Sequence, residues 1–288
     1  MIRKALPADV PELTELWDAG FPGEHDYGIF IFDRFFDTEN ILVYELDGRL
    51  AAMLLMLPRR IVFGNFSLPV SYVMGVTTRP DMRGKGIMGG LIEASHDHMR
   101  LRGDGLAVLI PANAGLFDYY ARFGYKPFFR IDRKTVKKPA TGHGYEVSLD
   151  SADLSAFEYV YSKALAGGVF IERTENDWAC CLDEFRNFGG NALLLSKENM
   201  PVSYAFYGVS CGKLTVNEAL GIDEEAAKAA VLAVFEQSGI DEAEILTPAS
   251  ANEGTPCGCA LALNCGGKNF LSLNDFSGFT PYINLIHN

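Results

Sequence analysis

Residues 73–91 read VMGVTTRPDMRGKGIMGGL: an apolar run, a turn rich in glycine and cations, then a helix start. At such a junction free backbone N–H groups and the positive end of the helix dipole converge, which makes an anion cradle. Gly84 and Gly86 permit close backbone approach and positive φ angles, and Arg83 and Lys85 add charge. Glycine in a helix costs about 1 kcal/mol relative to alanine, so several of them together need a compensating use, and phosphate binding supplies one. The segment Gly84-Lys85-Gly86-Ile87-Met88-Gly89 also has the G-x-G-x-x-G spacing of a dinucleotide site. That fingerprint needs an acid about 20 residues on, at the end of the next strand. The next strand here ends Leu109-Ile110-Pro111-Ala112-Asn113 without a carboxylate, and Asp104 precedes it. A nicotinamide or flavin dinucleotide is thereby disfavoured.

Other chemistry-bearing residues are sparser. His25, His96, His98, His143 and His287 are isolated, and His96 and His98, two apart on one helix, face different ways. Cys180-Cys181, Cys211, Cys257, Cys259 and Cys265 lack paired CxxC spacing and have no neighbouring histidine, so no metal is expected.

The elements that hold the cradle can be read from periodicity. Ile2–Ala5 is a short strand, and Asp9 with Glu12 has the spacing of a capping box opening a helix with Leu13, Leu16 and Trp17 on its buried face. A second, aromatic-rich helix spans His25–Asp37. Ile41–Leu46 and Arg49–Leu57 around Asp47-Gly48 form a hairpin. Gly64-Asn65 turns the chain into the strand Phe66–Thr77. Leu91, Ile92, Ser95, Met99 and Arg102 mark the helix after the glycine turn. Leu106–Ile110 is a short apolar strand of buried, parallel type, Ala114–Phe123 is a helix stopped at Gly124, and Phe128–Val136 is another strand.

Composition narrows the class. The chain has 288 residues, 48% hydrophobic and 22% charged, which is globular composition sized for two domains. Twenty-five basic against 37 acidic residues leave a net charge of −12, which disfavours binding to a nucleic-acid backbone. The N-terminus lacks the apolar core of a secretory signal, and no apolar run approaches the ~18 residues of a membrane span. The expectation is a cytoplasmic protein with no nucleic-acid or membrane partner.

Arg83-x-x-Gly86-x-Met88 resembles the R/Q-x-x-G-x-G/A pyrophosphate loop of the GNAT (GCN5-related) N-acetyltransferases, with Met88 in place of the last small residue. A bulky apolar residue there is typical of the Eis-like branch. Tyr120-Ala121-Arg122-Phe123-Gly124-Tyr125, after Asn113-Ala114-Gly115, is similar to the family's Y-x-x-F-G-[FY] segment. The resemblance implies a mixed α/β (α+β) fold, a twisted sheet flanked by helices, and acetyl-CoA as acyl donor without a metal. It implies that Val76, Thr77 and Thr78 face the pantetheine arm, that Arg83, Gly84, Lys85, Gly86, Ile87 and Met88 hold the pyrophosphate, and that Asn113 adds a side-chain contact. Tyr120 would face the sulfur. With an ordinary pKa near 10 it is a proton donor at neutral pH, suited to protonate a departing thiolate; Tyr119 is one residue too far from Gly124. In Eis-like enzymes the chain's own C-terminal carboxylate reaches the active site, here that of Asn288. Glu24, His25 and Asp26 lie where GNAT acceptors enter. The Eis-like third, sterol-carrier-like domain is expected to be missing, and a homo-oligomer is one expectation from the branch.

The sequence also echoes itself. Val108–Ala114, VLIPANA, resembles Ile245–Ala251, ILTPASA, at an offset of 137 residues, and the same offset lays a helix beginning near Asp223 over the one near Ile87. A first GNAT domain over 1–137, a linker at 138–144 and a degenerate second GNAT-like domain over 145–288 are expected. In the copy Arg83 falls on Leu220, Gly84 on Gly221 and Gly86 on Asp223, followed by Glu224-Glu225, which would repel a pyrophosphate. The expected activity is N-acetylation of a primary amine on a small cationic molecule. The alternatives are a protein or peptide N-acetyltransferase and a non-catalytic acyl-CoA-binding regulator.

Overall fold

The computed structural model describes residues 1–140, 142–249, 254–272 and 281–284. In chain order the elements begin β1 (Ile2–Lys4), α1 (Val10–Gly20), α2 (His25–Phe35), β2 (Ile41–Leu46), β3 (Arg49–Phe63), β4 (Phe66–Thr78), α3 (Ile87–Arg102), β5 (Leu106–Leu109), α4 (Ala114–Ala121) and β6 (Lys126–Lys137). They continue β7 (Glu146–Leu149), α5 (Leu154–Ala164), β8 (Val169–Ile171), α6 (Glu175–Asn187), β9 (Gly190–Lys197), β10 (Met200–Ser210) and β11 (Lys213–Gly221). The last are α7 (Glu224–Ser238), β12 (Glu242–Pro248), β13 (Thr255–Ala262) and α8 (Cys265–Leu271).

Packing divides the chain into two units. One holds Met1–Ile61, Phe66–Phe128 and the stretch from Cys257 that ends in α8; the other holds Val62–Asn65, Phe129–Pro256 and the segment 281–284. The division falls inside β6, ahead of the linker expected at 138–144, because packing follows strand pairing and not composition.

In the N-terminal unit the strand order is β1-β2-β3-β4-β5-β13. The hairpin of β2 and β3 pairs Leu46 with Arg49 around Asp47-Gly48, both at positive φ, as the Asp-Gly dipeptide predicts. β4 and β5 run parallel from Val70–Leu106 to Tyr72–Val108, and β13 takes the other edge of β5, antiparallel, with Cys259 opposite Leu109. Leu42, Ala52, Leu54, Val73, Leu91, Ile92, Met99, Leu109, Tyr120 and Tyr125 share one core. Each large side chain buried there contributes about 1.5–3 kcal/mol.

Two polar clusters set the geometry. At the far end of α3, Arg102 binds Asp104 at 2.9 Å and Asn40 Oδ1 at 2.7 Å, while the Ser71 hydroxyl donates to Asp104 at 2.5 Å. That pins the end of the helix to β4 and to the turn that leads into β5. The second cluster corrects the capping-box reading. Pro7–Asp9 is a 3-10 turn, Asp9 is itself helical (φ −80°, ψ −14°), and its side chain caps nothing in α1. Its carboxylate accepts from the Leu6 N–H and from Arg3. Glu12 instead accepts from the Leu50 N–H at 2.9 Å and from Arg79 at 3.0 Å, joining α1 to the start of β3 and the end of β4.

In the C-terminal unit the order is β6-β12-β11-β10-β9-β7, with β11 and β12 parallel and their neighbours antiparallel. Its core holds a buried ion pair. Arg173 donates to both Glu218 carboxylate oxygens at 2.7 and 2.8 Å, and the hydroxyls of Tyr204 and Tyr282 donate to the same carboxylate at 2.7 and 2.6 Å.

The internal echo is visible in register. Leu214 faces Ala243 in β11–β12 where Val70 faces Leu106 in β4–β5. The second strand of each pair and the helix before it keep the 137-residue offset, but the first strands are 144 apart. The difference lies in the connection: residues 79–86 separate β4 from α3, whereas only Ile222 and Asp223 separate β11 from α7. Leu220 and Gly221 therefore belong to β11, so Arg83 and Gly84 have no counterparts, while Gly86 does correspond to Asp223. Among the described residues no helix is long and apolar enough to cross a membrane, and no cluster of three His, Cys, Asp or Glu could hold a metal. Every described cysteine is a free thiol.

Candidate active site

The β4–β5 ladder ends at Tyr72–Val108, yet β4 continues to Thr78. Past the last rung the two strands part. A cavity of about 810 Å³ fills the space, lined by the end of β4, the glycine turn, the first turn of α3, Ala112 and Asn113 after β5, and one face of α4.

The turn shows why the sequence needs glycine there. Gly84 and Gly86 have φ of +76° and +77°, and a Cβ at either would meet nothing within 4 Å. The requirement is therefore conformational: an L side chain in this region costs about 1–2 kcal/mol. Gly86 is the N-cap of α3 and brings no side chain to it, so the first N–H groups of the helix have no cap. The corresponding helix start in the C-terminal unit is closed, because Asp223 Oδ1 accepts from the Ala226 N–H at 2.8 Å. That unit has a cavity of about 740 Å³ beside α7, but Glu224 and Glu225 line it and it offers no anion cradle.

Val76, Thr77, Thr78, Arg83, Gly84, Gly86, Ile87, Met88, Asn113 and Tyr120 all line the 810 Å³ cavity. Arg83 has a structural task as well: Nε donates to the Thr78 carbonyl at 3.1 Å and Nη2 to the Ala19 carbonyl at 3.2 Å. Two of its five N–H donors are thus spent holding the turn against the end of α1. The Thr77 side chain is buried against Gly20, where a Cβ would lie 2.2 Å from its hydroxyl oxygen. Asn113 is the N-cap of α4 but its side chain caps nothing.

Four residues lie elsewhere. Lys85 is exposed, its Nζ 3.5 Å from the Met82 sulfur, and it is not part of the lining. Glu24, His25 and Asp26 are exposed around the start of α2, outside the lining, and His25 Nδ1 pairs with the Asp18 carboxylate at 2.8 Å. Asn288 lies outside the described residues.

The cavity also has walls to which the sequence assigned no site role: Phe21, Met82, Leu116, Tyr119, Arg122 and Phe123. The Arg122 guanidinium stacks 4.5 Å over the Tyr119 ring. The signal for it was present, since Arg122 lies within the Tyr120–Tyr125 segment. Two arginines and no carboxylate line the cavity, so its electrostatics favour an anion.

Tyr120 is 7% exposed and lines the cavity. Burial pushes its pKa well above 10, with the neighbouring Tyr119 adding to the shift. The phenol therefore remains a neutral donor throughout the physiological range. Behind it Tyr125 is buried, with its hydroxyl 3.2 Å from His96 Nε2. Burial lowers the His96 pKa to about 4.

A splayed parallel pair, an uncapped helix start after a glycine turn and a tyrosine on the facing helix together make a fold of the GNAT type. Residues 1–128 match the family model described as an acetyltransferase (GNAT) domain. Several solved structures share the fold. A probable N-acyltransferase from Enterococcus faecalis V583 aligns over 93% of this chain and 73% of its own, with a TM-score of 0.76 at 15% identity. A GCN5-related N-acetyltransferase from Anabaena variabilis ATCC 29413 aligns over 93% and 74%, at 0.75 and 16%. Eis1 from Mycobacterium abscessus aligns over 92% and 74%, at 0.68 and 15%. Identities this low show the fold alone. Among curated proteins no relative matches the sequence.

Proposed function

We propose that this protein is an acetyl-CoA-dependent N-acetyltransferase acting on a primary amine of a small, cationic acceptor. The observation that carries the reading is the cavity itself, in which an uncapped helix start, two arginines and a largely buried tyrosine line one space that no carboxylate shares.

When bound, acetyl-CoA supplies an activated acetyl thioester. The backbone N–H groups of Gly84, Gly86, Ile87 and Met88 bind its pyrophosphate, with Arg83 and Arg122 adding charge from the lining and Lys85 from the rim. Val76, Thr77 and Thr78 present backbone groups, past the end of the β4–β5 ladder, to the pantetheine amides and the acetyl carbonyl. Asn113 offers its uncommitted side-chain amide. As the amine forms its bond to the acetyl carbon and the carbon–sulfur bond breaks, Tyr120 donates its phenolic proton to the departing sulfur. The proton lost by the amine passes to a base. Glu24 and Asp26, beside the His25–Asp18 pair, supply the negative charge that receives a cationic acceptor.

The test is acetyl-CoA turnover against a panel of a polyamine, an aminoglycoside, a neutral peptide amine and an acidic amine, at low and high salt. The polycations should show the highest kcat/KM, with an advantage that shrinks as salt screens the field within about 8 Å. Preference for the peptide would make the protein a peptide acetyltransferase. Binding of acetyl-CoA without turnover of any amine would make it an acyl-CoA-binding regulator.

A further inference from the structure

His96 has no task in the reaction above, yet it is buried on α3 with only 5% of its surface exposed. Its Nε2 shares a 3.2 Å hydrogen bond with the Tyr125 hydroxyl. Tyr125 in turn sets its ring edge-on to that of Tyr120, centroids 5.8 Å apart at 68°, and its N–H donates to the Tyr120 carbonyl at 3.3 Å. Among the described residues no other side-chain hydrogen bond joins α3 to the segment 114–125. The remaining hold on the segment is core packing through Leu116, Phe117, Tyr119, Phe123 and the ring of Tyr120 itself. Such packing resists separation but is non-directional, and a helix of only 8 residues does not keep its own setting.

We propose that the His96–Tyr125 hydrogen bond is the positioning device for Tyr120. It clamps the segment carrying the phenol to the helix whose N-terminus forms the anion cradle, so proton donor and acyl donor share one frame. Neither His96 nor Tyr125 lines the cavity; both act through Tyr120. The inference rests on the reading of Tyr120 as the general acid. The hydroxyl of Tyr125 carries it, because a phenylalanine there would pack equally well and hold nothing.

The test is a double-mutant cycle on the full chain, with acetyl-CoA and the best acceptor of the panel. Tyr125→Phe removes one oxygen and should lower kcat about 10- to 100-fold, the effect of a misplacement of about 1 Å, with KM for acetyl-CoA within about two-fold. In a Tyr120→Phe background the same substitution should change kcat by less than about two-fold, since no proton donor remains to be misplaced. His96→Leu should reproduce the loss, and His96→Gln, which keeps a hydrogen-bonding end, should recover part of it. Equal losses in both backgrounds would mean a general packing defect and overturn the proposal. So would full kcat in Tyr125→Phe, or a change confined to KM. Full activity in Tyr120→Phe alone would instead remove the general-acid reading, and the positioning role with it.

Discussion

Tyr72 and Val108 form the last rung of the parallel ladder between β4 and β5, and from that rung on the two strands separate around the cavity. The site is thus made by an interruption of pairing. Backbone groups that a longer ladder would have consumed stay available to a ligand, and the loop after β4 is aimed at the same space.

The glycine turn gives the first prediction. Gly86→Asp transplants to α3 the residue that stands at the corresponding position of α7. Asp tolerates positive φ better than most residues, and the helix dipole returns about 0.3–1 kcal/mol, so unfolding free energy should fall by no more than about 1 kcal/mol. Like-charge contact costs several kcal/mol, so acetyl-CoA affinity measured by calorimetry should drop by more than about 100-fold. Undiminished affinity would remove the pyrophosphate from this turn.

Tyr120→Phe should lower kcat by about 10²–10⁴-fold and leave acetyl-CoA affinity nearly unchanged. Because burial raises the phenol pKa above 10, the wild-type kcat profile should show no loss from Tyr120 ionisation up to that pH. Tyr119 lines the same cavity, but its ring carries the Arg122 guanidinium. Tyr119→Phe should be almost silent, and an exchange of behaviours between the two would transfer the acid role to Tyr119.

His96 links stability to pH. Its pKa of about 4 in the folded chain, against an ordinary 6.5, follows from burial first and from Arg100 second, with Asp97 opposing. The unfolded chain therefore takes up the proton first as pH falls. The stabilisation is fully present above pH 6.5 and is lost progressively between 6.5 and about 4. Urea midpoints across that window should fall more steeply for wild type than for His96→Gln; parallel slopes would show that His96 is not held neutral.

In the C-terminal unit, Glu218→Ala would strand the Arg173 guanidinium, whose side chain is fully buried. A broken buried pair costs about 3–5 kcal/mol, whereas replacing both partners by apolar residues is often near neutral. Denaturant unfolding of Glu218→Leu, Arg173→Met and the double variant should therefore show a double loss smaller than the sum of the single losses. Additive losses would mean that the two residues act independently.

Local chemistry was legible in the sequence. The spaced glycines of the 84–86 turn, the Asp-Gly hairpin, the apolar faces of α1 and α3 and the aromatic segment after Asn113 each obey rules that operate within a few residues, and the GNAT-type order of elements follows from them. The offset between the two halves was legible as well, because the helix and the strand after it keep their spacing.

What the tertiary structure decided is who meets whom across long stretches of chain. The Asp9 and Glu12 pair has the spacing of a cap, yet Arg3 and Arg79 outcompete the helix N-terminus for their carboxylates, since a charged partner binds more strongly than a backbone N–H. β13 joins β5 from about 150 residues away, a pairing that no local period encodes. The Glu218 cluster draws Arg173, Tyr204 and Tyr282 from three separate segments, and only folding into the core makes their hydrogen bonds worth more than those to water. His96 reads as an isolated histidine in the sequence, and it gains a partner only when the turn at Gly124 brings Tyr125 against α3. Short-range geometry is written in residue type and spacing; long-range partners are chosen by burial, which becomes defined when the chain has closed on itself.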